Sequence, residues 1–161
     1  MIDRQEFERA CMPSYGRVLQ LCERMLGHRQ QAEEVTQETF LRAFEKRSSF
    51  RGEAQVGTWL LSIAHRLCLD TGRRQQRQSP WDPKELPDLA QQRAEQARLL
   101  SHTLLSRLSE RSRSLLILRA ALELSYAEVA SVLEIPVNQV GVYLQRARSE
   151  AAQVAREEGM L

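Results

Sequence analysis

The side chains best suited to recognition chemistry lie near the carboxyl end of the chain, on a segment whose spacing predicts a helix. Gln145 can pair with an adenine edge, and Arg146 can read a guanine or hold a phosphate. Val142 can contact a thymine methyl group. The candidate base-reading set on this helix is Asn138, Gln139, Val142, Gln145, Arg146 and Ser149. This face is poor in charge, so by itself it should bind DNA weakly.

The segment that carries this set has the pattern of a helix-turn-helix. Apolar residues at helical spacing predict a first helix near 125–133, and Pro136 cannot continue that helix. Asn138 can cap a second helix near 138–156 through its side-chain oxygen. Such a unit places its second helix in the major groove of DNA. A plain helical hairpin in an all-helical core would show the same spacing.

A second candidate surface is a row of arginines on a helix predicted near 57–73. The row consists of Arg66 and Arg73, extended by Arg77 if the helix persists, and Trp59 borders it. Basic side chains beside an aromatic ring suit a strand with phosphates and unstacked bases. A solvated arginine face would have the same pattern.

A third candidate surface lies on a helix predicted near 30–47. At about 100° per residue, its apolar side chains cover one broad side, and Leu41 falls on the other side among charges. Exposed single leucines are common, but a leucine surrounded by charges is also typical of a protein-docking hot spot. The charged side carries Glu34, Gln37, Glu38, Leu41, Arg42 and Glu45.

The composition indicates an all-α protein. The chain has 161 residues, of which 42% are hydrophobic and only 6% aromatic, while alanine, leucine, glutamate, glutamine and arginine are plentiful. The formal net charge is only +2, so no field of the whole molecule draws it onto nucleic acid. Every Lys or Arg except Lys46 and Lys84 is arginine. Arginine suits phosphates and base edges, but GC-rich coding would give the same bias.

A proline-rich segment over residues 75–88 predicts a linker between two helical halves. We expect a first domain over 1–76, a linker over 77–91 and a second domain over 92–161. The predicted helices lie near 3–11, 14–27, 30–47, 57–73, 92–107, 110–122, 125–133 and 138–156.

Several function classes are disfavoured. The sequence has no nucleophile–base spacing, phosphate loop or paired-carboxylate site, so we expect neither an enzyme nor a cofactor. Three scattered histidines and three cysteines lack metal-ligand spacing. An odd cysteine count without a signal peptide indicates a reducing cytoplasm, and no apolar run is long enough to span a membrane. We expect three ordinary buried thiols, although Cys11 and Cys22 could sense oxidants if exposed.

Three segments in order resemble an extracytoplasmic-function (ECF) sigma factor of bacterial RNA polymerase. Residues 32–46 resemble the helix that docks on the polymerase clamp, and 50–74 resemble the loop and helix that open and read the promoter −10 element. Residues 105–148 resemble the module that reads the −35 element. The resemblance implies two helical domains that recruit core polymerase, through its clamp and flap, to promoter DNA.

The resemblance also implies roles for individual residues and a further partner. The implied polymerase contacts are Glu34, Gln37, Glu38, Leu41 and Arg42. The implied −10 contacts are Phe50, Arg51, Trp59, Ser62, His65, Arg66, Arg73, Arg74 and Arg77. The implied −35 contacts are the candidate base-reading set named above. Such proteins are commonly held inactive by an anti-sigma protein, often membrane-bound, which would hold this chain at the inner membrane.

The chain departs from the family pattern at several positions. His65-Arg66 stands where an Arg-Asn pair is usual, and Gly72 replaces a large apolar residue, so the helix is expected to end there. Glu134 sits where the turn usually has glycine, which would place a non-glycine residue at positive φ. Residues 141–143 replace a stretch that usually reads Lys-Ser-Arg, so the recognition helix has lost two positive charges.

Two alternatives remain from the sequence. A stand-alone helix-turn-helix regulator would bind DNA without polymerase, which a gel shift with DNA alone would show. A sigma-like interaction protein would bind polymerase without directing transcription.

Overall fold

In a computed structural model, the described residues are 3–50, 52, 55–78 and 103–160, and every regular element among them is helical. This confirms the prediction of an all-α fold. The helices are α1 (Arg4–Cys11), α2 (Tyr15–Leu26), α3 (Arg29–Glu45), α4 (Val56–Gln78), α5 (Glu110–Leu116), α6 (Tyr126–Leu133) and α7 (Val137–Glu157). Short 3₁₀ turns follow α1 and α3, and a π-helical segment, Ile117–Ala121, follows α5. Residues 103–106 are also helical.

Part of the predicted organisation lies outside the described residues. This applies to most of the proline-rich segment, to Trp81, and to the predicted helix near 92–107 except for its last residues. No helix in the described part is both long enough and apolar enough to cross a membrane.

Local signals set most helix ends. Asp3 and Ser125 form capping boxes at α1 and α6, and the Ser109 side chain caps α5, as the sequence predicts for that start. Gly27 ends α2 in the left-handed region, with φ of 75°. Glu134 does the same after α6 with φ of 56°, as expected at this position.

Two predicted boundaries are wrong. Asn138 does not cap α7, because Pro136 occupies the N-cap position and the helix already begins at Val137. Pro136 has φ of −63° and ψ of 139°, and such extended values are typical of an N-cap residue. Helix α4 does not end at Gly72 but continues to Gln78. The cost of a helical glycine, about 1 kcal/mol, is too small to end a helix that is anchored by packing.

The first half of the molecule is a bundle of α1 to α4. Helix α2 is central and packs on both α3 and α4. Its apolar face buries Val18, Leu21 and Cys22, which meet Leu60 and Leu61 of α4.

The second half consists of α5, the π-helical segment, α6 and α7. Helix α7 packs on α5 and α6, and Val140 and Leu144 are buried from its inner face. Leu118 and Leu124 fill the centre, and Val129 anchors α6.

The two halves pack against each other, with α4 lying on α6 and α2 on the π-helical segment. A single cluster of buried apolar residues runs through both halves. We call this contact the interdomain contact. It decides which of the candidate surfaces face solvent.

Candidate nucleic-acid interface and docking surfaces

The outer face of α3 presents the whole set that was predicted to dock on polymerase. Glu34, Gln37, Glu38, Leu41 and Arg42 are all exposed, and Leu41 is 60% accessible. The Arg42 guanidinium donates to Glu38 at 3.0 Å, one turn earlier. The opposite face of α3 is held in the core by Ala32, Val35, Thr39 and Ala43. Leu41 is therefore an apolar side chain on a rigid helix, surrounded by polar neighbours.

An apolar groove of about 540 Å³ lies beside this face, between α1 and α3. Its floor includes the Phe7 and Phe44 rings, which meet edge to face with centroids 5.4 Å apart. Met12, 55% exposed, stands at the rim with Leu41. Sequence analysis missed this groove, because it arises only when α1 packs against the end of α3.

The −10 candidates near the start of α4 form a small aromatic cluster. The Phe50 and Trp59 rings lie 5.0 Å apart, and both side chains are half-buried. The Ser62 hydroxyl donates to the Trp59 carbonyl at 2.6 Å, so it bonds within its own helix. Arg51 lies outside the described residues, as does the side chain of Arg77. Arg74 is exposed and donates a hydrogen bond to the Asp70 carbonyl, one turn earlier.

The two central arginines of the row are paired with acids from the second half. The Arg73 guanidinium donates two hydrogen bonds to Glu110, at 2.8 and 2.7 Å. Arg66 forms an ion pair with Glu134, the residue at positive φ in the helix-turn-helix. In this arrangement both arginines hold carboxylates of the second half, and their side chains remain more than half exposed.

His65 is buried, unlike the other members of the −10 set whose side chains the structure describes. Its Nε2 atom is 2.7 Å from the Ser114 hydroxyl on α5. Burial lowers the pKa of His65 to about 4. Two smaller effects act on this pKa in opposite directions, since the Glu110 carboxylate raises it and the Arg66 guanidinium lowers it. The imidazole is therefore neutral near pH 7 and is not accessible to DNA in this arrangement.

Two further hydrogen bonds cross the interdomain contact, and no pattern in the sequence indicates them. The Arg17 guanidinium donates to the Leu122 carbonyl at 2.8 Å, and the Gln20 amide donates to the Ala121 carbonyl at 3.3 Å. These carbonyls end the π-helical segment, where a helix has no partners of its own for them.

The base-reading face of α7 remains open. All six residues of the candidate set are exposed, including Val142 at 51%. The Tyr143 hydroxyl donates to Gln139 at 2.8 Å, which orients that amide. Arg146 extends past the Tyr143 ring, with its guanidinium carbon 5.9 Å from the ring centroid. The structure thus leaves the α7 face free while α4 is covered by α6.

Family comparisons fit this arrangement of two modules. The Sigma-70 region 2 model matches residues 13–78, and the Sigma-70, region 4 model matches residues 99–150. RNA polymerase sigma factor YlaC of Bacillus subtilis is 31% identical over 159 residues, covering 93% of this chain and 92% of YlaC. The chain belongs to the ECF-type sigma factors. As a sigma factor it directs RNA polymerase to specific promoters for initiation of transcription.

Other sigma factors show the same similarity. ECF RNA polymerase sigma factor SigG of Mycobacterium tuberculosis is 32% identical over 178 residues, which cover 91% of this chain but only 48% of SigG. Among solved structures, CnrH in complex with the cytosolic domain of CnrY superposes with a TM-score of 0.72 at 21% identity, covering 96% of this chain and 90% of CnrH. RpoE in complex with the anti-sigma factor NepR from Bartonella quintana superposes with a TM-score of 0.68 at 18% identity. This match covers 94% of this chain and 98% of RpoE. These two structures share the fold of this sigma factor.

Proposed function

We propose that this sigma factor rests in the closed arrangement and reads the −10 element only after its halves separate. The observation that carries this proposal is the pairing of Arg66 with Glu134 and of Arg73 with Glu110. A carboxylate that is held by an arginine competes with a phosphate for the same guanidinium donors. Domain separation frees Arg66 and Arg73 from these carboxylates, and it exposes His65 and the side of α4 that α6 covers.

The outer face of α3 is the proposed docking surface for the polymerase clamp. Leu41 is the apolar centre, and Glu34, Gln37, Glu38 and Arg42 form the polar rim, which is the usual anatomy of a binding hot spot. The groove beside it extends the apolar area with Met12. This surface is exposed while the halves are closed, so polymerase can engage it first.

After opening, α4 and the loop before it are proposed to hold the −10 element. Phe50, Arg51 and Trp59 would meet an unstacked base, with Ser62 alongside. The arginines of α4, including Arg74 and Arg77, would hold the phosphates, since each neutralised phosphate adds salt-dependent affinity. The proposed boundaries for these modules are 1–76 and 92–161, with a linker over 77–91.

Helix α7 is the proposed reader of the −35 element. Gln145 and Arg146 offer hydrogen bonds to base edges, Val142 offers an apolar contact, and Asn138, Gln139 and Ser149 complete the face. The face carries little charge, so it binds DNA weakly alone. Tethering to polymerase, through the flap for this half, compensates by raising the effective concentration. No catalytic group of the chain's own is needed, because polymerase carries the chemistry.

An anti-sigma protein is the proposed inhibitor of this chain. Support comes from CnrH and RpoE, whose solved structures are complexes with the cytosolic domain of CnrY and the anti-sigma factor NepR. The apolar groove and the α3 face would be covered by such a partner. We propose that the chain works in the cytoplasm, with membrane attachment arising only through that partner.

Run-off transcription tests the proposed function. Core polymerase, this sigma factor and a pool of genomic promoter fragments should give discrete transcripts that core polymerase alone does not make. The aligned upstream sequences will show which −35 element α7 reads. Polymerase binding without transcripts would contradict promoter direction by this chain, and DNA binding without polymerase would favour a stand-alone regulator.

A further inference from the structure

A tyrosine on α7 links the base-reading face to α5. Tyr143 is half-buried and packs against the cluster of buried apolar residues. Its hydroxyl donates to the Oε1 atom of Gln139, one turn earlier on α7, at 2.8 Å. The Arg111 guanidinium of α5 lies over its ring, with the guanidinium carbon 4.6 Å from the ring centroid. Tyr143 ends the stretch 141–143, and it stands where the family pattern usually has arginine.

We propose that Tyr143 is a positioning residue for −35 recognition, which commits the Gln139 amide to donate to a hydrogen-bond acceptor on a base. The inference rests on the proposed role of α7 as the −35 reader. It adds a residue from outside the candidate base-reading set, and it names the base chemistry that Gln139 selects. Tyr143 acts through Gln139 and makes no base contact of its own.

The tyrosine ring is held firmly enough to orient a neighbouring side chain. An exposed glutamine samples several rotamers, and a hydrogen bond to a fixed partner favours one of them. The Tyr143 ring is fixed by the apolar residues beneath it and by cation–π attraction to Arg111. Arg146 lies at the outer limit of the same kind of attraction, 5.9 Å from the ring centroid, so the ring orients Gln139 more strongly than Arg146.

The direction of this hydrogen bond determines what the Gln139 amide can offer to DNA. A glutamine pairs with adenine through both amide atoms, because adenine presents its N6 donor beside its N7 acceptor. The Oε1 atom of Gln139 is directed at the Tyr143 hydroxyl, so the amide does not present both atoms to one base. The amide nitrogen is left to donate, which suits guanine N7 and O6 or thymine O4.

The position of Gln139 along α7 fits this role. Helix α7 begins at Val137, so Gln139 lies in its first turn. The N-terminal residues of a recognition helix are the ones that contact base edges in the major groove. The Gln139 side chain is exposed, and the hydroxyl that holds it belongs to the half-buried Tyr143.

Base preference in run-off transcription tests the inference with the intact chain, core polymerase and promoters randomised over the −35 element. Gln139→Ala should weaken the preference at one base pair, which identifies the position that Gln139 reads. Tyr143→Phe removes the hydroxyl and keeps the ring. It should move the preference at that same position toward adenine by about fivefold or more, because both amide atoms become free to pair with adenine. An unchanged preference in Tyr143→Phe, beside a clear effect of Gln139→Ala, would overturn the inference.

The double variant separates positioning from direct contact. If Tyr143 acts only through Gln139, then Tyr143→Phe should have no further effect on base preference in the Gln139→Ala chain. A further change there would show that Tyr143 contacts DNA itself, and the inference would be wrong.

Tyr126→Phe is the matched control for loss of a tyrosine hydroxyl in the helix-turn-helix. The Tyr126 ring also has an arginine over it, with the Arg119 guanidinium carbon 5.2 Å from the ring centroid. The Tyr126 hydroxyl makes no hydrogen bond within the described part of the chain. This variant should therefore keep the base preference of the unsubstituted chain. Circular dichroism of all variants should show unchanged helix content.

Nuclear magnetic resonance of the free chain tests the hydrogen bond without DNA. The side-chain amide signals of Gln139 are identified by their absence from the Gln139→Ala spectrum. Tyr143→Phe should shift these signals and Tyr126→Phe should not, and unshifted signals in Tyr143→Phe would overturn the inference. A clear shift in an unsubstituted chain that shows no −35 preference at all would contradict the reader role of α7 instead, and the inference would fall with it.

Discussion

Arg73 and Glu110 form a two-pronged hydrogen-bonded ion pair, at 2.8 and 2.7 Å, between α4 of the first half and α5 of the second. The guanidinium holds the pKa of Glu110 below its usual range. Both side chains are substantially exposed, at 56% and 41%. Exposed pairs contribute about 0–1 kcal/mol, so this bridge guides the closed arrangement without making it permanent.

The acids of the interdomain contact should restrain DNA binding. We expect the double variant Glu110→Gln, Glu134→Gln to bind a −10 fork-junction DNA, in the presence of core polymerase, about threefold to tenfold more tightly. The reason is that Arg66 and Arg73 lose the carboxylates that they hold in the closed arrangement. Each exposed ion pair stabilises that arrangement by about 0–1 kcal/mol. Fluorescence anisotropy titration measures the affinity.

Glu157→Gln is the control for this experiment, because Glu157 pairs with Arg107 inside the second half and away from α4. Small-angle scattering should show a larger radius of gyration for the double variant than for the control. Equal affinities in both variants would show that these ion pairs do not compete with DNA.

Leu41→Asp should weaken binding to core polymerase by about tenfold or more, since a charge would replace the apolar centre of a hot spot. Helix content should stay unchanged, because Leu41 points away from the core. Val137→Asp provides a matched control at an exposed valine of similar accessibility on the second half. Binding is measured by surface plasmon resonance, and equal losses in both variants would place the docking surface elsewhere.

Arg146→Ala should weaken use of the −35 element while sparing polymerase binding. If the guanidinium makes two hydrogen bonds to one base, the substitution should cost about 1–3 kcal/mol of DNA-binding free energy. The preference for that base in the −35 element should also become weaker. Arg148→Ala is the control, since Arg148 is exposed on the same helix outside the candidate set. Run-off transcription from promoters randomised over the −35 element reports the preference. An unchanged preference in Arg146→Ala would exclude base reading by Arg146.

Acid should destabilise the chain through His65. Its pKa falls from 6.5 to about 4 on folding, so between these pH values the unfolded chain binds a proton that the folded chain does not. The stabilising contribution of neutral His65 to the free energy of unfolding is therefore complete above pH 6.5. It is lost as the pH drops toward 4, by about 3 kcal/mol at most. Glu110 and Arg66, which face the imidazole, partly offset each other.

Urea unfolding at pH 7 and pH 5 measures this effect. His65→Gln should reduce the pH dependence, because glutamine can bond Ser114 without titrating. His28→Gln, at an exposed position, should leave the dependence unchanged. The same change in the free energy of unfolding between pH 7 and pH 5 in both variants would show that other groups cause the acid sensitivity.

The local organisation of this sigma factor could be read from its sequence, because caps and spacing act within a few residues. Ser109 and Ser125 start helices where expected, and Leu41 is exposed as the periodicity of α3 indicates. The base-reading face of α7 is exposed for the same reason. The end of a helix was harder to predict where packing outweighs a local signal, as at Gly72.

The sequence by itself determined the all-α fold, the helix faces and, through three motifs in order, the family. Only the tertiary structure decided that Arg73 holds Glu110 and that His65 is buried against Ser114. These partners lie on different helices and far apart along the chain. Their contact depends on the angles at which the helices cross and on how the two halves pack, and helical periodicity encodes neither.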